Sequence, residues 1–562
     1  MLLSLLIFLI LSNAVTSRQD KSILFSRVVI TGMISSSYLA LNNLYVQSLE
    51  KGIGIYGGLF NVTTFTQTFN IFLFIMSAVI LTLTAFYPRK VYVKDYFSLD
   101  KMLTSQFVYN KNFISNKTGE QFRIIEYALI IVFILCGAVF LISTGDLISM
   151  FLSIELQSYG LYILSTLYRD SESATASGLT YFLLGGLSSC FILLGSAMIY
   201  ANSGTTSLDN IYIIASISEI GDLPNIMYWY QPYYLHLSLI ILSVGFLFKV
   251  SAAPFHFWSP DVYDGIPTIV TTYVAIIAKI SIFAFLLELV YYTEYYILDF
   301  SWKNILLLSS LFSLIVGSVL GLTQSRIKRL FAYSTISHVG FILLALSINS
   351  AESIQSYIFY ILQYSISNLN AFVILVSMGF TFYLYVYKEK KLQDNLIDKS
   401  NSPVQLINQI KGYFYINPYI SLSLAITLFS FVGVPPIVGF FAKQMILSAA
   451  LDSGYVFMSL VAILTSVIGA GYYLNLVKQI FFFKEDYKMN PAFDNLELKG
   501  YISAINNRND KQLVTFEPEN ITINSSLSTS ISVLTLLLVL FIYIPGEWFN
   551  IVSILSVILF KG

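Results

Sequence analysis

Charged residues are scarce in this chain. Of its 562 residues only 11% are Asp, Glu, Lys or Arg, whereas 56% are hydrophobic. A soluble domain carries about 25% charged residues, so folding in water would leave more apolar surface than a polar exterior could cover. This composition excludes a cytosolic enzyme, a nucleic-acid binder and a disordered chain. The 31 basic and 31 acidic residues cancel, so the net charge gives no sign of a polyanionic partner.

Cysteines and nucleotide-binding loops are scarce or missing as well. Cys136 and Cys190 both lie within apolar runs, and two thiols are too few for a disulfide framework, a structural zinc site or a cysteine-bound iron–sulfur cluster. Neither a GxxxxGK[ST] loop nor a GxGxxG turn that opens a helix occurs. We therefore expect no metal, no bound cofactor and no redox chemistry in this chain. Energy for any transport must then come from outside it.

Long apolar runs dominate the chain instead. A helix crosses the hydrocarbon core of a bilayer with roughly 20 residues, because each residue rises about 1.5 Å. Every backbone amide in lipid must be satisfied within the protein, and the runs lack the alternation of barrel strands. We therefore predict an all-α polytopic membrane protein with about fourteen transmembrane helices. The predicted spans are 1–16, 24–46, 60–87, 124–144, 147–167, 174–200, 233–258, 266–291, 304–322, 330–348, 353–387, 418–450, 454–483 and 528–556.

The first run and the basic residues set the predicted orientation. Residues 1–16 lack the basic start of a signal peptide, so we favour a membrane helix over that alternative. Loops that follow odd-numbered spans hold most of the 31 basic residues, among them the group at 326–329. The other loops and the C-terminus hold only Lys51, Lys303 and Lys561. The positive-inside rule then puts the odd loops on the cytoplasm- or matrix-like side and both termini on the opposite side.

Four ionisable side chains stand out within the spans, where a charge costs from about 2.5 to over 10 kcal/mol and normally faces a protein interior or a wet cavity. They are Glu155 in span five, Lys249 in span seven, Lys279 in span eight and Lys443 in span twelve. Static ion pairs or snorkelling to the interface are the structural alternatives, and Lys279, at mid-span among mostly apolar neighbours, fits them least. Burial disfavours the charged form of a lysine, whereas a nearby carboxylate favours that form. Groups in such surroundings can therefore exchange protons near neutral pH. We therefore predict a proton relay.

The three histidines are unequal candidates for a role in the relay. His338 lies inside span ten, where it could link the lysines as a relay or simply hydrogen-bond between helices. His256, near the end of span seven, is a weaker candidate, and His236 is expected at the interface. Glu126 and Glu288 lie near helix ends, where structural or solvated roles are favoured.

Spans seven and twelve are interrupted, by Pro254 in span seven and by Pro435 with Pro436 in span twelve. Such a proline removes a backbone hydrogen bond, and freed carbonyls at membrane depth require protein or water around them. Spans four to eight and nine to thirteen form two five-helix units whose fourth helix is broken, which indicates inverted repeats around a central site. The predicted divisions are three helices with a loop (1–123), the two repeats (124–291 and 304–483), and a loop with the last helix (484–562).

Several of these stretches resemble a known family. SAAPFHFWSPDVYDGIPT followed by VAIIAKISIF, together with RIKRLFAYSTISHVGF and GVPPIVGFFAK, is similar to the antiporter-like, proton-translocating membrane subunits of respiratory complex I. The resemblance covers roughly residues 124–483. It implies a glutamate in span five, lysines in spans seven and eight and a charged residue in span twelve. The residues in those places are Glu155, Lys249, Lys279 and Lys443.

The resemblance also implies a setting. Protons would cross the mitochondrial inner membrane, driven by electron transfer from NADH to ubiquinone in partner subunits that hold FMN and iron–sulfur clusters. Other complex I membrane subunits, including antiporter-like ones, and membrane lipids would be the partners, with no nucleic acid. The richness in Tyr and Phe (40 and 45 residues) suits an AT-rich mitochondrial genome. A stand-alone cation/proton antiporter of the Mrp type and a structural bundle with static ion pairs remain as alternatives.

Overall fold

A computed structural model describes most of the chain. The described residues are 1–15, 22–50, 52–85, 90–91, 105–108, 126–167, 171–220, 232–293, 302–382, 385–387, 404–484, 487–489, 498–504, 511–516, 521–522 and 526–561. They contain nineteen α-helices: α1 (Leu2–Val15), α2 (Ser22–Asn43), α3 (Thr64–Ala85), α4 (Glu126–Ile142), α5 (Leu147–Thr166), α6 (Glu172–Ser203), α7 (Leu208–Ile220), α8 (Pro232–Val250), α9 (Trp258–Gly265), α10 (Thr268–Ala275), α11 (Ile277–Tyr292), α12 (Lys303–Gly321), α13 (Ile327–Ile348), α14 (Ala351–Phe382), α15 (Pro418–Val432), α16 (Val438–Asp452), α17 (Val456–Phe481), α18 (Ser526–Leu540) and α19 (Pro545–Lys561).

The prediction of an all-α polytopic membrane protein is confirmed. In the described ranges, eight helical stretches are long and apolar enough to cross a membrane, and the bent pair α18 and α19 makes nine if it counts as one span. The shorter apolar helices α1, α4, α8 and α15 coincide with further predicted spans. The count of fourteen spans stays a prediction.

Short strands occur only in connecting segments of the described residues. The strands are β1 (Ile53–Ile55), β2 (Phe60–Val62), β3 (Lys90–Val91), β4 (Ser105–Val108), β5 (Tyr385–Tyr387), β6 (Tyr487–Met489), β7 (Leu498–Ala504), β8 (Lys511–Phe516) and β9 (Ile521–Thr522). Strands β4, β7 and β8 form an antiparallel sheet that joins the segment after α3 to the segment before α18. The other pairs, also antiparallel, are β1 with β2, β3 with β9 and β5 with β6.

The first predicted break separates α8 from α9. Ser251 begins it with a positive φ of 63°. Protein groups satisfy the backbone there: the Ala253 amide donates to Ser313 Oγ of α12 at 2.8 Å, and Trp258 Nε1 donates to the Phe248 carbonyl at 2.9 Å. These bonds offset the cost of freeing backbone groups at membrane depth.

The second predicted break separates α15 from α16. Gly433 closes α15 with a φ of 85°, in the left-handed region that glycine adopts without steric cost. Pro435 and Pro436 follow and cannot continue the helix. Helix α16 therefore begins only at Val438.

Three features of the fold were not predicted. The segment predicted as a loop at 201–232 contains helix α7. Helices α10 and α11 are interrupted at Ile276, where no proline or glycine signals it. The predicted last span at 528–556 is bent by 92° before Pro545, because a proline cannot continue α18 but suits the first turn of α19.

The two five-helix units pack in the same order. In the first unit α4 contacts α5, α5 contacts α6, α6 contacts α8, and α4 contacts α11. In the second, the same pairs are α12 with α13, α13 with α14, α14 with α15, and α12 with α17. With five predicted spans in each unit, the second unit would start on the opposite side of the membrane from the first, as inverted repeats require. The predicted divisions of the chain stay a prediction.

Gly439 in α16 marks the tightest contact of the second break. A Cβ at this position would overlap the Ser430 carbonyl oxygen of α15. We expect Gly439→Ala to lower the amount of folded protein in membranes by roughly tenfold, because backbone cannot move aside as a flexible side chain does. Gly186→Ala on α6 is the control, since its Cβ meets no atom within 4 Å. Equal amounts of the two variants, measured by quantitative immunoblotting, would contradict the close packing.

Candidate functional site: a line of buried charges

Glu155 and Lys249 form a buried ion pair in the first unit. Lys249 Nζ, in the last turn of α8, lies 3.4 Å from Glu155 Oε1 on α5, and the side chains are 7% and 15% exposed. Ser189 Oγ of α6 donates to the same carboxylate oxygen. Lys249 Nζ also donates to Ser158 Oγ at 2.8 Å, one turn along α5 from Glu155. Three helices therefore keep both charges hydrogen-bonded, which a buried pair requires.

Lys279 lies where the two units meet. Its side chain is only 2% exposed, and Nζ donates to Ser251 Oγ at 3.1 Å and to Thr335 Oγ1 at 3.3 Å. Ser251 belongs to the first break, two residues after Lys249, whereas Thr335 lies on α13 of the second unit. The Tyr263 ring of α9 faces the ammonium, with its centroid 5.9 Å from Nζ. In the described part of the chain, no carboxylate lies within ion-pair distance of Lys279.

His338 follows Thr335 by one turn of α13. Its Nδ1 lies 2.7 Å from the Tyr360 hydroxyl and its Nε2 lies 3.3 Å from the Tyr473 hydroxyl. Tyr473 in turn hydrogen-bonds Ser334. A neutral imidazole has one donor and one acceptor nitrogen, so either tautomer can satisfy both hydroxyls. The arrangement suits a group that takes a proton on one side and releases one on the other.

Lys443 lies at the second break. Its Nζ donates at 2.9 Å to the carbonyl of Val432, the last residue of α15, and lies 5.3 Å from the centroid of the Phe341 ring. The negative end of the α15 dipole and the ring face both favour a cation here. His338, Tyr473 and Lys443 line one cavity of about 10 Å³, roughly the space that one water needs.

The five predicted relay residues therefore form a line through both units. Glu155 and Lys249 are in direct contact. Lys279 donates to Ser251, two residues along the chain from Lys249, and to Thr335 on the helix of His338. His338 shares a cavity with Lys443. This geometry is compatible with a relay, and the roles of these residues stay a prediction.

Sequence reasoning missed the hydroxyl groups between the charges. Two of them had a local signal: Ser158 follows Glu155 by three residues and Thr335 precedes His338 by three, a spacing that places each pair on one helix face. Other hydroxyls come from different helices, so no local pattern announces them. They are Ser189, Ser251, Tyr360 and Tyr473.

Lys328 corrects the assignment of basic residues to loops. We expected it among the loop residues that report orientation, but it lies in the first turn of α13 and is 1% exposed. The helix begins at Ile327, three residues before the predicted span, because hydropathy does not register its polar first turn.

The remaining histidines and glutamates lie outside the line of charges. His256 is in the first break, where its carbonyl accepts the Ser259 amide at 3.0 Å. His236 is buried near the start of α8. Glu126 opens α4 and Glu288 lies near the end of α11, both at helix ends as predicted.

The family follows from the matched residues. Residues 144–469 match the family described as "NADH:quinone oxidoreductase/Mrp antiporter, TM". This chain belongs to that family. The matched stretch runs from just before α5 into α17, so all five residues of the line lie within it.

Relatives within the family resemble the chain over much of its length. A Rhizopus oryzae protein named NADH-ubiquinone oxidoreductase chain 2 is 43% identical over 98% of both chains. An Arabidopsis thaliana protein of the same name is 36% identical over 65% of this chain and 66% of its own. A Pelagibacter ubique protein named NADH-quinone oxidoreductase subunit N is 35% identical over 69% of this chain and 76% of its own.

Solved structures share the fold. A chain of respiratory complex I from Thermus thermophilus superposes with a TM-score of 0.67 at 23% identity, covering 98% of this chain and 97% of its own. A chain of the Mrp complex from Dietzia superposes with a TM-score of 0.70 at 16% identity, covering 98% and 96%. At these identities the likeness shows the fold alone, which both complexes use.

Proposed function

We propose that this chain is a proton-translocating membrane subunit of respiratory complex I, of the chain 2 or subunit N type. The line of residues from Glu155 to Lys443 carries the proposal, because it places titratable groups of both units in succession at the broken helices. The 43% identity to a chain 2 protein over 98% of its length supports complex I as the setting. We assign the chain to the mitochondrial inner membrane, with both termini on the intermembrane-space side, from the one-sided basic loops.

The Glu155–Lys249 pair is the input of the proposed mechanism. While the pair is closed, the carboxylate compensates the charge of Lys249. When a conformational change in a partner subunit draws Glu155 away, the charge of Lys249 stands uncompensated near Lys279. Like charges in a low-dielectric interior disfavour each other, so Lys279 releases its proton.

The released proton moves through the second unit. The Thr335 hydroxyl accepts from Lys279, and a hydroxyl can accept one proton while it donates another. One helical turn, about 5.4 Å, separates this residue from His338. His338 and one water in the adjoining cavity then pass the proton to Lys443, whose ammonium the Val432 carbonyl stabilises. Closing the ion pair lets Lys279 bind a new proton.

The electron-transfer chemistry belongs to partner subunits in this proposal. NADH oxidation and ubiquinone reduction, with FMN and the iron–sulfur clusters, take place there, and this chain binds no cofactor. Its partners are the other membrane subunits of the complex, including further antiporter-like ones, and the surrounding lipids. Nucleic acid has no part in it.

A stand-alone cation/proton antiporter is the second candidate, favoured by the likeness to a chain of the Mrp complex. Isolation of the chain from its membranes in mild detergent distinguishes the two. We expect it to purify within a multisubunit assembly that contains flavin and iron–sulfur signals and oxidises NADH. Purification without such subunits, with cation/proton exchange intact after reconstitution, would contradict the proposal.

A further inference from the structure

Basic residues at the start of α13 oppose the dipole of their own helix. Arg326 is the N-cap residue, Lys328 and Arg329 lie in the first turn, and this turn has no acidic residue. A helix N-terminus is its positive end and disfavours cations. These side chains therefore do not serve the local stability of α13.

Helix α9 shows the reverse arrangement. Asp264 lies in its last turn, at the negative end of the helix, where a carboxylate is disfavoured. Its side chain is nevertheless only 7% exposed, so it is not placed there for solvation. The backbone of α9 ends one residue later at Gly265, and Ile266 is the C-cap residue.

The N-terminus of α13 and the C-terminus of α9 meet, and each supplies the charge that the other favours. Arg326 Nη1 donates to Asp264 Oδ2, and Arg329 Nε lies 3.5 Å from the same oxygen. Lys328 Nζ, buried, donates to the Ile266 carbonyl at 2.6 Å. The N-terminus of α13 thus receives a carboxylate, and the C-terminus of α9 receives a cation, each from the other helix. We call Asp264, Arg326, Lys328 and Arg329 the α9–α13 junction.

The junction lies next to the surroundings of Lys279. Tyr263, whose ring faces Lys279, directly precedes Asp264. Thr335, which accepts from Lys279, follows Lys328 by seven residues, so the two lie two turns apart on one face of α13. Tyr263 belongs to the first unit and Thr335 to the second. A shift of α9 along α13 would therefore change both contacts of Lys279 at once.

We propose that the α9–α13 junction is a positioning device for the Lys279 centre. It fixes Tyr263 and Thr335 about the ammonium and so sets the rate of proton transfer without carrying protons itself. The inference rests on the proposed function, in which Lys279 is a relay. It gives a role to the VYDG and RIKR motifs, which the line of charges does not use.

Variants that remove, swap or keep the charges of the junction test it in the intact complex. We expect Asp264→Asn to lower NADH-driven proton pumping per assembled complex roughly tenfold, with the KM for quinone unchanged, because small displacements at a reacting group have large effects on rate. The double variant Asp264→Arg with Arg326→Asp restores the pair in reverse and should recover about half of the lost rate.

Lys328→Arg keeps a donor for the Ile266 carbonyl and should pump better than Lys328→Met. Asp261→Asn, at an exposed partner of Arg329, is the control and should change pumping less than about twofold.

A purely structural junction would give a different result. The variants would then lower the amount of assembled complex but leave pumping per complex unchanged, and this overturns the inference. If Asp264→Asn fails to assemble, the half-exposed Arg326 provides the milder variant Arg326→Gln, for which we expect a roughly threefold loss per complex. Lys279→Ala, measured in parallel, separates the two proposals. Unchanged pumping in that variant removes the relay, whereas unchanged pumping in the junction variants alone removes only the junction.

Discussion

Replacing Lys279 with alanine is expected to reduce proton translocation on the order of a hundredfold while the complex still assembles. Lys279 contacts both units, through Ser251 of the first break and Thr335 of α13. Its removal takes away the proposed relay group between the ion pair and His338. Assembly should survive, because the Thr335 hydroxyl keeps its bond to the Ala332 carbonyl at 2.8 Å. Proton uptake by reconstituted vesicles during NADH oxidation, normalised to assembled complex, measures the effect.

Another lysine within a span supplies the control for this experiment. Lys478 lies in the last turn of α17, where a cation is favoured by the helix end, and it is outside the line of charges. We expect Lys478→Ala to pump at a rate within about twofold of the unmodified protein. Near-normal pumping by Lys279→Ala with intact assembly would contradict the relay role.

Neutralising the Glu155–Lys249 pair as a unit is expected to separate its structural role from its functional role. Lys249→Met leaves a buried carboxylate and Glu155→Gln leaves a buried ammonium, and each should cost about 3–5 kcal/mol of stability. The double variant buries no unpaired charge, so the amount of assembled complex should recover. Proton pumping should stay at least roughly tenfold below normal, because the switch that acts on Lys279 is gone.

The comparison of single and double variants decides between a working ion pair and a static one. Complex content is measured by native gel electrophoresis and pumping by vesicle acidification. Assembly that recovers without pumping supports the switch. Recovery of both in the double variant would contradict it and would favour the structural bundle, whose charges serve only stability.

Proline and charge made most of the architecture predictable. Pro254 and Pro435 reveal the two breaks, because a proline in a helix interior removes a backbone hydrogen bond and kinks or breaks the helix. The interruption at Ile276 has no such residue, and packing in the interior between the two units, where α10 and α11 are almost fully buried, decides it instead. The bend before Pro545 did have a signal, which the apolar run around it obscured.

The charged residues of the candidate site were predictable from the sequence, but its hydroxyl groups were not. An ionisable group in lipid is costly, so Glu155, Lys279 and Lys443 stand out in a sequence that has few charges. Serine and threonine cost little in a helix, where their hydroxyls bond to the preceding turn, and they and tyrosine are common throughout the chain. Which of them face a lysine depends on how helices from two units pack. Lys328 shows the same limit, because burial at a helix start depends on the helix that covers it.

Ordered water in a high-resolution density map of the assembled complex tests the central claim most directly. A proton can cross from Lys279 to Lys443 only if polar groups and water form an unbroken path. We expect at least one water between Thr335 and His338 and one in the cavity that His338 shares with Lys443. A dry gap closed by apolar side chains at either place, with the line of charges otherwise intact, would contradict the relay.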